Sequence, residues 1–489
     1  MPGGAFDLKR RRAGVCLHLT SLPGRHGIGE LGAAAHGFMD WMQANRLSVW
    51  QFLPTGPTGY GNSPYQPLSV FAGNPLLVDL DGLVNLELLR ASEVTADWAE
   101  SDGLVDYSRV ASRKLPLLAL AADRFIQLND GGLIGQYEAF CAANDEIWLE
   151  NYAAFALLKI QNGNRAWPEW PANDRGRRKE RIIQLASRQG IQWRRAKIIQ
   201  FFFSLQWEAL RREAESRGIV LFGDVPIYMA LDCAEAWAQP ELLELDADYQ
   251  PLEVAGVPPD YFSAAGQLWG NPIYRWDAHA ATGFQWWIAR LRHALEGVDM
   301  VRLDHFRAFD EYWSVPPQAA TARDGQWKAA PGHALFAALV EALGDAPFVA
   351  EDLGVITDSV VALRKAYALP GMQVLQFLVD RFDFNAEDIG EDCVCYTGTH
   401  DNDTAVGWFA GSAGQFAGEA LETLHAAVVQ NVEGAEENIH KAMISLCFRT
   451  KARIAIAPLQ DYLGLGSSAR LNTPGTPEGN WRWRVRHGR

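Results

Sequence analysis

The sequence predicts a (β/α)8 barrel with largely helical insertions and no C-terminal all-β domain, and three observations carry that reading. Eight short apolar or β-branched runs recur along the 489 residues, most of them followed by a stretch of helix length. Acids close or follow three of these runs, at Asp304, Glu351 and Asp401, and strand ends are where barrel enzymes collect their chemistry. The chain stops some 30 residues after the eighth run, too few for a further β domain.

The runs span 15–19, 48–53, 219–223, 300–304, 348–352, 372–377, 393–397 and 454–459. About 165 residues separate the second from the third, far more than one barrel unit needs. The intervening segment, about 80–216, has helical periodicity and reads as a mainly helical insertion. Its basic stretch, 175–181, reads as a solvated face. A second insertion covers about 225–275. Within it, 253–270 reads as a lid loop that bends at Gly256, Pro258, Pro259 and Gly266 and has an apolar underside of Val254, Val257, Tyr261, Phe262, Leu268 and Trp269. Residues 1–489 form one catalytic unit in this reading.

Composition limits the function classes. A net charge of -15 argues against nucleic acid or an anionic membrane surface as partner, since both want a basic face. The N-terminus is basic but lacks a secretory apolar core, and no run approaches the 18 apolar residues of a membrane span, so a cytoplasmic protein is expected. Six cysteines without paired C-x2-C motifs suggest neither a disulfide framework nor a structural zinc site. Cys393 and Cys395 share one face of a strand and read as reduced and inert.

Strand alternation brings the candidate chemistry together. In Met300-Val301-Arg302-Leu303-Asp304, residues 302 and 304 project to one face, and a carboxylate beside a guanidinium stays ionised well below neutral pH. Glu351 follows apolar residues and has no adjacent cation, a setting that raises a carboxyl pKa; Asp352 points the other way. An ionised aspartate facing a protonated glutamate is the pair that cleaves glycosidic bonds. Alternation turns His305 away from Asp304, and His305 and Arg307 are left outside the site. A metal-dependent barrel hydrolase is disfavoured, because no second histidine lies at ligand spacing. On residues alone, Asp224 could equally cap a helix, His400 could bond a backbone carbonyl, and Trp269 and Tyr261 could be core aromatics.

The order of motifs goes further. Leu19-Thr20-Ser21-Leu22-Pro23-Gly24, Tyr60-Gly61-Asn62-Ser63-Pro64-Tyr65, Gly223-Asp224-Val225-Pro226-Ile227-Tyr228 and Leu268-Trp269-Gly270-Asn271-Pro272 precede the three acid motifs, with Asn472-Thr473-Pro474-Gly475 and Gly479-Asn480-Trp481-Arg482-Trp483-Arg484 after them. Over nearly its whole length the chain resembles the amylomaltases, 4-α-glucanotransferases of glycoside hydrolase family 77 within the α-amylase superfamily. The resemblance implies a retaining transfer of α-1,4-glucan segments between maltodextrins through a covalent glycosyl-enzyme, with glucose as the small product. An α-glucan hydrolase or a non-catalytic glucan-binding protein is the alternative. It also implies Asp304 as nucleophile, Glu351 as acid and base, and Asp401 as a third acid on the sugar hydroxyls. Tyr60, Asp224, Arg302 and His400 would hold the sugar at the cleavage point; Trp269, Tyr261 and Asn472 would contact the glucan. No metal or other cofactor is expected, and a monomer or weak homodimer suffices.

Overall fold

The computed structural model describes residues 10–94, 98, 103–128, 130–176, 179–259, 265–412, 416–476 and 478–486. All eight expected runs are strands: β1 (Arg12–Cys16), β2 (Val49–Gln51), β3 (Val220–Pro226), β4 (Met300–Asp304), β5 (Phe348–Ala350), β6 (Gly371–Val374), β7 (Cys393–Tyr396) and β8 (Ile454–Pro458). They form one parallel sheet in the order β6-β7-β8-β1-β2-β3-β4-β5. The Ala350 N–H donates to the Pro370 carbonyl at 2.8 Å and draws the two ends of the sheet together into a barrel.

Strand boundaries differ from expectation by a few residues, most instructively at β1 and β6. β1 starts at Arg12, registered on Ile454 of β8, and is over by residue 19, where Leu19–Ser21 forms a 3-10 turn. β6 stops at Val374 because Leu375–Phe377 also tightens into a 3-10 turn. Gly14 permits the close approach of β1 to β2: a Cβ there would lie 2.8 Å from the Val49 carbonyl oxygen.

The barrel interior changes character along its axis. Inward positions at the lower level are apolar, with Val220, Phe222, Met300, Val349, Tyr396 and Ile456 in one buried cluster. Two residues further along the same faces stand Asp224, Arg302 and Glu351, so the period-2 pattern that fills the core also delivers charge to the C-terminal mouth. Outward positions such as Leu221, Val301 and Leu303 join the large core beneath the surrounding helices.

Between β2 and β3 lie the helices Tyr107–Gln127, Gly131–Asn144, Glu150–Gln161, Lys179–Arg188 and Gly190–Ser216. Helix Tyr107–Gln127 is tied to the loop after β1 by a buried group in which Lys114 Nζ and His26 Nδ1 both meet the Glu30 carboxylate.

The expected lid loop is instead a β-hairpin. Val254–Val257 and Gln267–Pro272 pair antiparallel inside a second sheet of four strands, whose other members, Glu311–Val315 and Gln326–Ala329, follow β4. The apolar residues of this stretch have a sheet to pack in: Val254 is buried against Val315 and Ala322. Residues 260–264, including Tyr261 and Phe262, lie outside the described residues, as do 177 and 178 of the basic stretch.

Candidate active site

Register places the first three charges. β3 and β4 pair Asp224 directly with Arg302, and Arg302 and Asp304 share the inward face of β4. The buried guanidinium spans both acids, with Nη1 donating to Asp224 Oδ2 at 2.6 Å and Nη2 to Asp304 Oδ1 at 2.7 Å. Burial works against the charge on Arg302, yet the carboxylates of Asp224 and Asp304 outweigh it and raise its pKa well above the ordinary value. Burial, and secondarily the nearby Asp304, raises Asp224, while Arg302 opposes both. Asp224 Oδ1 is buried without a hydrogen-bond partner among the described residues.

Glu351 sits just past β5. Its Oε2 accepts the His305 N–H at 2.7 Å and its Oε1 the Leu353 N–H at 3.1 Å. Burial pushes its carboxyl up to about 7 and Asp304 adds to the effect, against the pull of Arg302 and the two N–H groups. Asp352 turns away, as alternation requires, to accept from the Met372 N–H and pair with Arg364.

His305 corrects the sequence reading. Alternation fails because the residue is left-handed, at φ 50° and ψ 50°, so its N–H faces Glu351. Its ring packs edge-on against Trp269 with centroids 4.8 Å apart, and its Nε2 is buried without a partner among the described residues. Burial lowers its pKa to about 4, so the ring is neutral at neutral pH. Arg307 lies outside the carboxylate cluster, as expected.

The third acid arrives on the loop after β7. His400 Nε2 lies 3.3 Å from Asp401 Oδ2, and Asn472 Nδ2 donates to Asp401 Oδ1 at 2.6 Å. Arg470 donates to the Asp401 carbonyl at 2.6 Å, so the C-terminal segment holds this loop from outside.

Two aromatics that the sequence reading did not assign to the site complete the cluster. The Tyr65 hydroxyl donates to Asp224 Oδ2 at 2.7 Å while its ring stacks on His400 at 5.2 Å, joining the β3 and β7 sides of the mouth. Trp481 lies 5.8 Å from the Tyr65 ring and 6.0 Å from His400. Both residues stand in motifs visible in the sequence, but Tyr60, the tyrosine singled out there, is 81% exposed on the turn Tyr60–Asn62. Trp269 is half-buried and meets the carboxylates through His305.

The arrangement therefore offers a carboxylate fixed by a buried arginine beside a carboxyl that holds its proton to near neutrality. Those are the requirements of a nucleophile and of a general acid and base. Among the described residues no group of three or more His, Cys, Asp or Glu is placed to hold a metal ion.

The sequence profile of a family described as 4-alpha-glucanotransferase matches residues 17–488. The 4-alpha-glucanotransferase of Thermus thermophilus is 43% identical over 483 residues, 97% of this chain and 95% of the relative. That of Streptococcus pneumoniae is 41% identical over 492 residues, 98% and 94% of the two chains. Among solved structures, amylomaltase from Streptococcus agalactiae in complex with acarbose superposes with a TM-score of 0.91 at 35% identity, covering 98% of this chain and 96% of that one.

Proposed function

The chain belongs to the 4-alpha-glucanotransferase family, and from that premise we propose how its residues divide the work of moving α-1,4-glucan segments between maltodextrins with retained configuration. Asp304 attacks the anomeric carbon of the donor. Glu351 gives its proton to the departing glycosidic oxygen, which leaves with the shorter sugar and frees a glycosyl ester on Asp304. The Glu351 carboxylate then takes the proton from an acceptor hydroxyl, whose oxygen displaces Asp304 from the anomeric carbon.

Arg302 orients Asp304 through the bond from its Nη2. Asp224, Tyr65, His400, Asp401 and Asn472 line the mouth as acceptors and donors for sugar hydroxyls, and Tyr60, exposed on its turn, is open to contact with the sugar at the cleavage point. Trp269 offers an aromatic face to the acceptor sugar. These groups all come from one chain, so a monomer or weak homodimer is sufficient. We place the enzyme in the cytoplasm; the free state of all six cysteines supports that, and no helix among the described residues is long and apolar enough to cross a membrane.

The observation that carries this reading is a pair of neighbouring carboxyls, one bonded to the buried Arg302 and one pushed up to about 7 by burial. Incubation with maltotriose alone, followed by chromatography, tests it. Transfer of a maltosyl unit yields glucose and maltopentaose; accumulation of glucose and maltose in equal amounts, with nothing longer than the substrate, would show a hydrolase.

A further inference from the structure

Arg307 is only 5% exposed, and its contacts join the second sheet to the loop after Glu351. Its guanidinium carbon stands 3.7 Å from the centroid of the Trp327 ring. Its Nη1 donates to the Val355 carbonyl, in the loop that leaves Glu351, and its Nη2 lies 3.8 Å from Glu311 Oε2.

Trp327 leads to the hairpin. It registers on Trp313 with ring centroids 5.0 Å apart, Trp313 registers on Gly256, and Gly256 on Leu268, the neighbour of Trp269. Side-chain stacking thus links the loop of Glu351 through Arg307 to Trp327 and Trp313, and strand pairing carries the link on across the second sheet to Leu268. We propose that Arg307 is a positioning residue that sets the balance of transfer over hydrolysis by fixing the Trp269 sheet against the Glu351 loop. The proposal rests on the reading of Trp269 as the acceptor platform.

The residue type fits the task. A planar guanidinium can lie on an indole face and donate in its own plane to a carbonyl at the same time, whereas an ammonium is a point charge without a face. At 3.8 Å the Glu311 contact is too long to replace that bracket.

The test compares Arg307→Lys, Trp327→Ala and Trp327→Phe with Trp269→Ala on maltotriose. Arg307→Lys and Trp327→Ala should each raise the ratio of hydrolysis to transfer about tenfold, the equivalent of about 1.4 kcal/mol. Their double variant should be no worse than either alone, as expected of one shared contact, and Trp327→Phe should stay near the parent. Trp327 is half-buried on the last strand of the sheet, so its truncation keeps the test valid where the buried arginine variant folds poorly. A ratio unchanged in Trp327→Ala and Arg307→Lys while Trp269→Ala raises it would reduce Arg307 to a structural residue and overturn the proposal. A ratio unchanged in Trp269→Ala as well would overturn the acceptor reading beneath it.

Discussion

The backbone N–H of His305 donates to Oε2 of Glu351 at 2.7 Å, bridging the end of β4 to the end of β5. His305 is bonded to Asp304, so a main-chain donor next to one carboxyl anchors the other, while Arg302 anchors that of Asp304. The Leu303 carbonyl accepts the Glu351 N–H at 3.0 Å and the Glu351 carbonyl accepts the Phe306 N–H at 3.1 Å, which closes the same gap from the backbone side. Pre-organisation of this kind leaves little to rearrange when charge develops at the anomeric carbon.

The two carboxyls should fail in different ways. Asp304→Asn cannot form the glycosyl ester, and turnover on maltotriose should fall by about five to six powers of ten. Glu351→Gln loses only proton transfer, worth about two to four powers of ten on a natural glucan. With a glycosyl fluoride, whose leaving group needs no proton, the Glu351 variant should still load and the Asp304 variant should not. Mass spectrometry of the trapped glycosyl-enzyme reads this directly; loading of Asp304→Asn would reverse the assignment.

The raised carboxyl of Glu351 sets the pH dependence. Leaving-group protonation needs the acid form, which disappears as pH rises through about 7, so maltotriose turnover should fall on that alkaline side. An activated donor should lack that limb. Stability follows the same sign: a carboxyl raised from 4.5 to about 7 by burial favours folding while protonated and loses that contribution as pH rises between the two values. Glu351→Gln should therefore melt a few degrees higher than the parent at about pH 8 and lose the advantage at about pH 4. An identical difference at both pH values would contradict this origin.

Strands and acids were legible for one reason. A parallel barrel strand is apolar throughout except where its inward face reaches the mouth, so Arg302, Asp304 and Glu351 stand out against their surroundings. What escaped depends on single torsions or distant pairings. One left-handed residue turns the His305 N–H toward Glu351, and Gly61, at φ 64° inside the turn Tyr60–Asn62, precedes the step that brings the Tyr65 hydroxyl to Asp224. The hairpin of Trp269 is specified by strands some 40 to 60 residues later, Glu311–Val315 and Gln326–Ala329, a partnership no local pattern announces.

Asp461 escaped as well, because nothing local links it to the site. Its Oδ2 accepts from Thr397 Oγ1 at 2.6 Å and its Oδ1 from the Ala405 N–H at 2.7 Å, so one buried carboxyl clamps both ends of the loop that carries His400 and Asp401. Removing the clamp lets that loop shift, and a displacement of about 1 Å at a positioning group can cost about a hundredfold. Asp461→Ala should lower kcat/KM on maltotriose by about 10- to 100-fold, whereas Asp461→Asn, still able to accept from Ala405 and donate to a rotated Thr397 hydroxyl, should recover most of it. Equal losses in the two variants would mean that the carboxyl does more than hold the loop.

The last prediction concerns why the glycosyl unit passes to sugar and not to water. Water at about 55 M competes with acceptor at millimolar level, a disadvantage of roughly four powers of ten or about 5 to 6 kcal/mol. Holding the acceptor in attack geometry can supply about 7 to 11 kcal/mol, enough to reverse the preference if the sugar is gripped and water excluded. Trp269 is placed for both tasks: its ring is braced edge-on by His305, the residue that also holds Glu351, and its indole N–H is occupied by Gln267 Oε1 at 3.1 Å, which fixes the ring plane. Leu268 beside it is substantially exposed and presents apolar surface on the opposite face of the strand. Trp269→Ala should then raise hydrolysis relative to transfer on maltotriose about tenfold or more, with loading by an activated donor little changed because Asp304 and Glu351 are untouched. The competition itself supplies a control: raising the acceptor concentration should restore transfer in the variant in proportion, since what the indole provides is effective concentration. A ratio that stays elevated at every acceptor concentration would place the defect in the chemistry of the glycosyl-enzyme and not in the seat of the acceptor.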